Sequence, residues 1–120
     1  MDISVCIKEV PDLDAPFSVQ DGALAFDTDR VQLNAYDASA VEAALVLTEE
    51  HGGSVEVVTV GPTDVTETIR KALAMGADRA VHLTTEDEDA YDARAYADVL
   101  AGYYADADAD AIFCGKQSQD

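Results

Sequence analysis

Four segments carry the residues that could bind a ligand, and each lies at the end of an apolar run or the start of a helical pattern. They are KEVPD (8–12), the helix start at Asn34, VGPTD (60–64) and GKQSQD (115–120). Glycine backbone, lysine and the free N–H groups of a helix start are groups that bind phosphate and ribose oxygens. These segments are therefore the candidate ligand-binding segments, and they leave open a nucleotide held through backbone groups.

The standard phosphate-binding fingerprints are absent from the sequence. No GxGxxG follows the first apolar run, no GxxxxGK[ST] surrounds Gly115 and Lys116, and no SGGxDS loop is present. This argues against a standard NAD site, a P-loop and an ATP pyrophosphatase. Binding through backbone amides and helix N-termini needs no such motif and stays open.

No group of residues predicts catalysis or a metal site. Cys6 and Cys114 both lie in apolar runs without a nearby base, so we expect small buried side chains and not a disulfide framework. His51 lies at a predicted helix end and His82 within a predicted strand. We therefore expect a protein that is not an enzyme.

The charge balance excludes several partners. The chain has twenty-five acidic residues but only three lysines and four arginines, which gives a net charge of −18. So few scattered cations argue against binding nucleic acid or an anionic membrane surface. The acidic excess indicates either a protein from a halophile, which we favour, or an acidic docking face. No signal region or membrane span is evident, so we expect a cytoplasmic location.

Apolar runs and helical patterns alternate along the chain. Strands are predicted at 3–8, 54–60, 79–83 and 111–115, and a hairpin around Asp21–Gly22 at 17–26. One helix is predicted to begin after each of Asn34, Asp64 and Asp92. Asp64 and Glu67 have the spacing of a helix-capping pair. The predicted buried faces of the three helices are Ala38, Val41, Ala44, Leu45 and Thr48; Val65, Ile69, Ala72 and Leu73; and Ala93, Ala97, Leu100, Ala101 and Tyr104.

This order predicts one α/β domain over residues 1–120. Continuous apolar strands alternating with amphipathic helices form a Rossmann-like, doubly wound parallel sheet, here with a small hairpin inserted after the first strand. Ligands in such folds bind beyond the carboxyl ends of the strands, where the strand order reverses. All four candidate segments could meet there.

Several stretches together resemble the β subunit of electron transfer flavoproteins, including the FixA type. They are VCIKEVPD, NAYDASAVEAAL, VVTVGPTDVTETIRKALAMGADRAVHL and IFCGKQSQD, which occur in the family's order along the whole chain. The resemblance implies the adenine-nucleotide α-hydrolase type of Rossmann-like fold. Family chains are longer, so we expect this to be the N-terminal part of such a subunit, ending inside the G-K-Q-x-x-D signature.

The resemblance also implies a cofactor and partners. The subunit would bind AMP or FAD, pair with an α subunit, and relay electrons from acyl-CoA or other dehydrogenases to an acceptor such as a quinone reductase. The nucleotide contacts carried over are Cys6, Asn34, Ala35, Tyr36, Asp37, Val60, Gly115, Lys116, Gln117, Ser118 and Asp120. Gly115 would let the backbone approach the ligand closely.

Some alternatives stay open. Asn34 could be a plain helix cap and Gly61–Pro62 a plain turn. Ala35 stands where many family members have proline, and Gln119 where an apolar residue is usual. A nucleotide sensor of the universal-stress-protein kind is a second candidate, although GKQSQD replaces the glycine-rich loop that those proteins need.

Overall fold

A computed structural model of the chain describes residues 1–11, 17–20, 22–26, 31–62, 65–85 and 92–118. The strands are β1 (Asp2–Ile7), β2 (Glu9–Pro11), β3 (Phe17–Gln20), β4 (Ala23–Phe26), β5 (Val31–Leu33), β6 (Ser54–Gly61), β7 (Arg79–Thr84) and β8 (Ala111–Cys114). The helices are α1 (Ala35–His51), α2 (Thr66–Met75) and α3 (Ala93–Tyr104). Within these ranges, none of the helices has the length and apolar character needed to cross a membrane.

Four parallel strands form the main sheet in the order β7-β6-β1-β8. The first three strands in sequence step one way across the sheet, and the fourth is placed on the other side of β1. The strand order therefore reverses between β1 and β8, as in a doubly wound fold. This confirms the predicted fold class.

One face of the sheet carries the apolar core. Side chains alternate between faces along a strand, and the register pairs Ile3 with Val55 and Val5 with Val57. These residues are buried against Val41 of α1 and its neighbours in α1 and α2. The faces predicted for α1 are confirmed in that Val41 and Ala44 are fully buried, because both point at the strands.

The opposite face is polar near its centre and lies under α3. Ser4 and Glu56 are register partners, and both are buried. Glu56 accepts hydrogen bonds from Ser4 Oγ (2.9 Å) and from the hydroxyl of Tyr103 on α3 (2.7 Å). Arg79 adds an ion pair at 2.9 Å. The sheet therefore joins α3 through hydrogen bonds as well as through apolar contact.

Two small antiparallel pairs accompany the main sheet. β3 pairs with β4, with Gly22 at φ +80° in the connection, which confirms the predicted hairpin. β2 pairs with β5, a pairing that the sequence did not predict. Because the β2–β5 pair ends beside β1, the backbone N–H of Asn34 donates to the Lys8 carbonyl at 2.9 Å. The start of α1 is thereby fixed next to the end of β1.

Several burial predictions were wrong. Cys114 is exposed and Ile112 is 49% exposed, because β8 lies at the edge of the described sheet and alternates between half-buried and exposed positions. Ala93, Ala97 and Ala101 are exposed, and α3 has no buried residue, because its contact runs through the two tyrosines at its end. In α2, Leu73 is exposed and Thr68 is buried instead. The predicted Asp64 cap lies outside the described residues.

Gly115, directly after β8, has no room for a side chain. A Cβ atom placed there would overlap the Asp37 side chain and come within 2.7 Å of the Tyr36 carbonyl carbon. The side of Gly115 on which a Cβ atom would lie is therefore filled by the first turn of α1, and a ligand contact at Gly115 stays a prediction. Glycine is needed here for packing, whether or not a ligand is bound.

We expect Gly115→Ala to destabilise the fold by about 1–3 kcal/mol, the usual cost of forcing an extra carbon into a packed contact. Urea unfolding measures the change. The matched control is Gly102→Ala in α3, where a Cβ meets nothing within 4 Å. Because alanine forms helix more readily than glycine, the control should gain about 0.5–1 kcal/mol. Equal stability of the two variants would contradict the packing of β8 against α1.

Candidate functional site at the strand-order reversal

The candidate site lies at the carboxyl ends of β1 and β8, where the strand order reverses. Lys8 follows β1, residues 115–118 follow β8, and Asn34 and Asp37 lie at the start of α1. We call Lys8, Asn34, Asp37 and residues 115–118 the switch-point cluster. It brings together three of the four predicted segments, in the position where this fold class binds ligands.

The Asp37 carboxylate connects the two strand ends. Its Oδ2 accepts the backbone N–H of Lys8 at 2.8 Å, and it also accepts hydrogen bonds from the Gly115 N–H and the Asn34 side chain. Burial raises the pKa of the Asp37 carboxyl above its usual value, and these hydrogen bonds and the Lys8 charge oppose the rise. Asp37 therefore has a structural role that its predicted ligand contact did not include.

Asn34 binds the loop after β8 and does not act as a plain helix cap. It is 1% exposed, and its Nδ2 donates to the Gln117 carbonyl at 2.8 Å. No side-chain hydrogen bond caps α1, whereas the Asn34 carbonyl accepts from the N–H groups of Asp37 and Ala38 at 3.0 Å. The side chain therefore links α1 to residues 115–118, and the plain-cap alternative is wrong.

Lys8 provides one positive charge of the cluster. It lies in the candidate segment KEVPD but was not among the predicted nucleotide contacts. Its Nζ donates to Ser118 Oγ at 3.1 Å, and the residue is exposed at the sheet edge. The lysine of KEVPD was the available signal, because it directly follows an apolar strand. Lys116 is also exposed, so two ammonium groups lie in or beside the loop at this edge.

The other predicted contacts are distributed around the same edge. Ala35 and Tyr36 are exposed at the first turn of α1, and Gln117 and Ser118 are exposed in the loop. Cys6 and Val60 project from the polar face of the sheet, because they alternate with the core residues of their strands. Asp120 lies outside the described residues. A ligand contact at each of these residues stays a prediction.

A second polar group, on the amino-terminal side of the cluster, was also missed. The Tyr104 hydroxyl lies 2.7 Å from Ser4 Oγ and 3.4 Å from Cys6 Sγ. Burial, followed by the contact with Cys6, raises the pKa of Tyr104. A glutamate inside the apolar run SVEVVTV was the sequence signal for this network, because a buried carboxylate needs hydrogen-bond donors. His82 contacts the Gly61 carbonyl at 2.8 Å, which is a structural role.

We expect the stability contribution of Asp37 to depend on pH. Because its folded pKa is raised, the folded state binds the proton more tightly than the unfolded state, so this group favours folding most when protonated. Its contribution falls as pH rises from the ordinary aspartate pKa of about 3.9 towards the folded pKa. Relative to Asp37→Asn, the wild-type free energy of unfolding should therefore fall over this window and then level off.

Urea unfolding over a pH series measures this difference. Asp98→Asn on α3 removes the same charge from an exposed position and corrects for the change in net charge. A wild-type stability that rises with pH relative to Asp37→Asn would mean that the hydrogen bonds outweigh burial.

Comparison with known proteins identifies the family. Residues 22–120 match the model of the electron transfer flavoprotein domain. Over the whole chain, the sequence is 42% identical to Protein FixA of Azorhizobium caulinodans and 35% identical to the electron transfer flavoprotein subunit beta of Bacillus subtilis. It is 34% identical to the acryloyl-CoA reductase electron transfer subunit gamma of Anaerotignum propionicum.

The chain spans just under half the length of these relatives, covering 45%, 47% and 46% of them respectively. The matched region includes β4 to β8, the three helices and the loop that follows β8, and thus most of the switch-point cluster. On the doubly wound sheet and these matches, the chain belongs to the electron transfer flavoprotein family, among the β subunits and FixA proteins.

Proposed function

We propose that the chain is the nucleotide-binding part of an electron transfer flavoprotein β subunit and binds AMP or FAD at the switch-point cluster. The observation that carries this proposal is the meeting of Lys8, Asn34 and the loop 115–118 at the reversal of strand order. Such a cluster combines a cation, a buried amide and a helix start at one edge. These groups suit the phosphate and ribose of an adenine nucleotide.

The residues present fit this type of ligand. α1 begins at the cluster without a side-chain cap, so its positive end faces the same edge as the Lys8 ammonium group. Ser118 and Gln117 add a hydroxyl and an amide to an exposed loop. We infer that Lys8 and the first turn of α1 hold the phosphate, while the loop holds the ribose. Cys6 and Val60 would contact the base from the polar face.

The proposed role is electron transfer without catalysis by this chain. A bound FAD would accept and release electrons, whereas AMP would have a structural role. The chain's own residues would bind and orient the nucleotide, and Asp37 would hold the two strand ends in place around it. The intact subunit would pair with an α subunit and carry electrons from dehydrogenases to an acceptor such as a quinone reductase. The Anaerotignum relative is named as an electron transfer subunit of acryloyl-CoA reductase, which supports the electron transfer role.

Co-expression of the intact β subunit with its α subunit tests the proposal. We expect a complex that co-purifies with FAD and, after denaturation, releases either AMP or a second FAD. Lys8→Gln should weaken nucleotide binding by about tenfold, because a charge-assisted hydrogen bond contributes about 1.5–3 kcal/mol. Asn34→Ala should also lower the nucleotide content, because the loop loses its link to α1.

The matched control is Lys71→Gln, which removes an exposed lysine from α2. It should leave both complex formation and nucleotide content unchanged. A complex without an adenine nucleotide in the β subunit, or equal losses in Lys71→Gln and Lys8→Gln, would contradict the proposed site. A β subunit that binds nucleotide but never pairs with the α subunit would contradict the electron transfer role.

We also propose that the protein works in the cytoplasm of a halophile. The support is the net charge of −18 and the pI near 4.1, because such a surface repels itself unless salt screens it. We expect the melting temperature to rise steadily from low salt to molar KCl at pH 7. At a pH closer to the pI the same titration should have a smaller effect. A melting temperature that does not change with KCl concentration at pH 7 would contradict this proposal.

A further inference from the structure

Cys6 and Cys114 lie opposite each other on neighbouring strands. The parallel register pairs their Cα atoms directly, so both side chains project from the polar face. Paired Cα atoms of adjacent strands lie about 4.8 Å apart, inside the range of about 4.4–6.8 Å that a disulfide requires. The Cys114 side chain is also among the groups that raise the pKa of Cys6. The pair therefore has the placement needed for a covalent link.

The two thiols differ in access to solvent. Cys114 is exposed, whereas Cys6 is half-buried and contacts the Tyr104 hydroxyl at 3.4 Å. Burial, only partly offset by the Tyr104 contact, raises the pKa of Cys6 to about 11. An oxidant in solution therefore reaches Cys114 first, and Cys6 stays protonated at neutral pH. This asymmetry gives the two residues separate parts in an oxidation.

We propose that Cys6 and Cys114 form a reversible disulfide across the strand-order reversal when the protein meets a peroxide. The Cys114 sulfur attacks one oxygen of hydrogen peroxide, which breaks the O–O bond and gives a sulfenic acid and one water. The Cys6 sulfur then attacks the Cys114 sulfur, forms the S–S bond and expels a second water. In total, two thiols are oxidised and one peroxide is reduced to two waters. A dithiol reverses the reaction by exchange.

The geometry favours a bond that is easily reduced. A relaxed disulfide brings its Cβ atoms to about 3.8 Å, closer than paired residues of adjacent parallel strands normally come. Forming it must draw β8 towards β1, and strain of this kind makes a disulfide more reducible. Among the described strands β8 pairs only with β1, so no second neighbour holds it back.

The bond would form next to the switch-point cluster. Cys114 directly precedes Gly115, whose N–H binds Asp37. Oxidation would therefore change how the loop 115–118 is held, and it would remove the Cys6 thiol proton from the contact with Tyr104. The disulfide itself does not depend on nucleotide binding, so its test is separate from the test of the proposed function.

Peroxide treatment of the reduced 120-residue chain tests the proposal. The chain has only these two cysteines. Thiol titration after denaturation should show the loss of both thiols within a monomer, and peptide mapping should find the segments around Cys6 and Cys114 joined. Dithiothreitol should restore both thiols. Loss of the Cys114 thiol alone, or disulfide-linked dimers in place of the internal bond, would overturn the proposal.

Two variants serve as controls. In Cys6→Ser, Cys114 lacks a resolving thiol, so it should pass to sulfinic acid, which dithiothreitol does not reduce. Ile112→Cys combined with Cys114→Ser keeps two cysteines on one face but moves one by two residues, about 6.6 Å along the strand. That offset exceeds disulfide reach, and Ile112 is exposed, so the fold should tolerate the change. Internal cross-linking of this variant as fast as the wild type would overturn the role of the register.

Discussion

The arrangement of the site depends on one buried carboxylate. Asp37 accepts backbone N–H groups from the ends of both β1 and β8, and it does so from the first turn of α1. These two strands flank the reversal of strand order. A carboxylate can accept several hydrogen bonds at once, so one side chain fixes the spacing of three segments. Burial makes this costly, as the raised pKa of Asp37 shows, and the donors offset the cost.

The two faces of the sheet differ in how they bind their helices. The face under α1 and α2 is apolar and holds the core around Val5 and Val57. The other face contains the buried Glu56, which is satisfied by Ser4, Tyr103 and Arg79. A hydrogen-bonded carboxylate specifies the orientation of α3 more narrowly than apolar contact does, because each donor must keep its direction and distance. The thiol of Cys6 and the hydroxyl of Tyr104 extend this network towards the carboxyl edge.

Most of the fold could be predicted from the sequence, because continuous apolar strands that alternate with helical patterns are compatible with few topologies. The site could be predicted only in part. Lys8 could be placed at a strand end and Asn34 at a helix start. The bond from Asn34 to Gln117, however, joins residues 83 positions apart and leaves no local pattern. The prediction of buried residues was wrong where a strand is not covered on both faces. β8 is an edge strand in the described sheet, and Cys114 is exposed for that reason.

The role of Gly115 in packing explains why no standard phosphate-binding fingerprint surrounds it. In the usual phosphate-binding loops, glycine leaves space so that a ligand can approach the backbone. Here the space beside Gly115 is filled by Asp37 and Tyr36 of α1. A ligand bound at the proposed site would therefore contact other groups, which are Lys8, the exposed start of α1 and the loop after Gly115. The proposed site therefore combines a glycine used for helix packing with a lysine directly after the neighbouring strand β1, and this arrangement matches no standard motif.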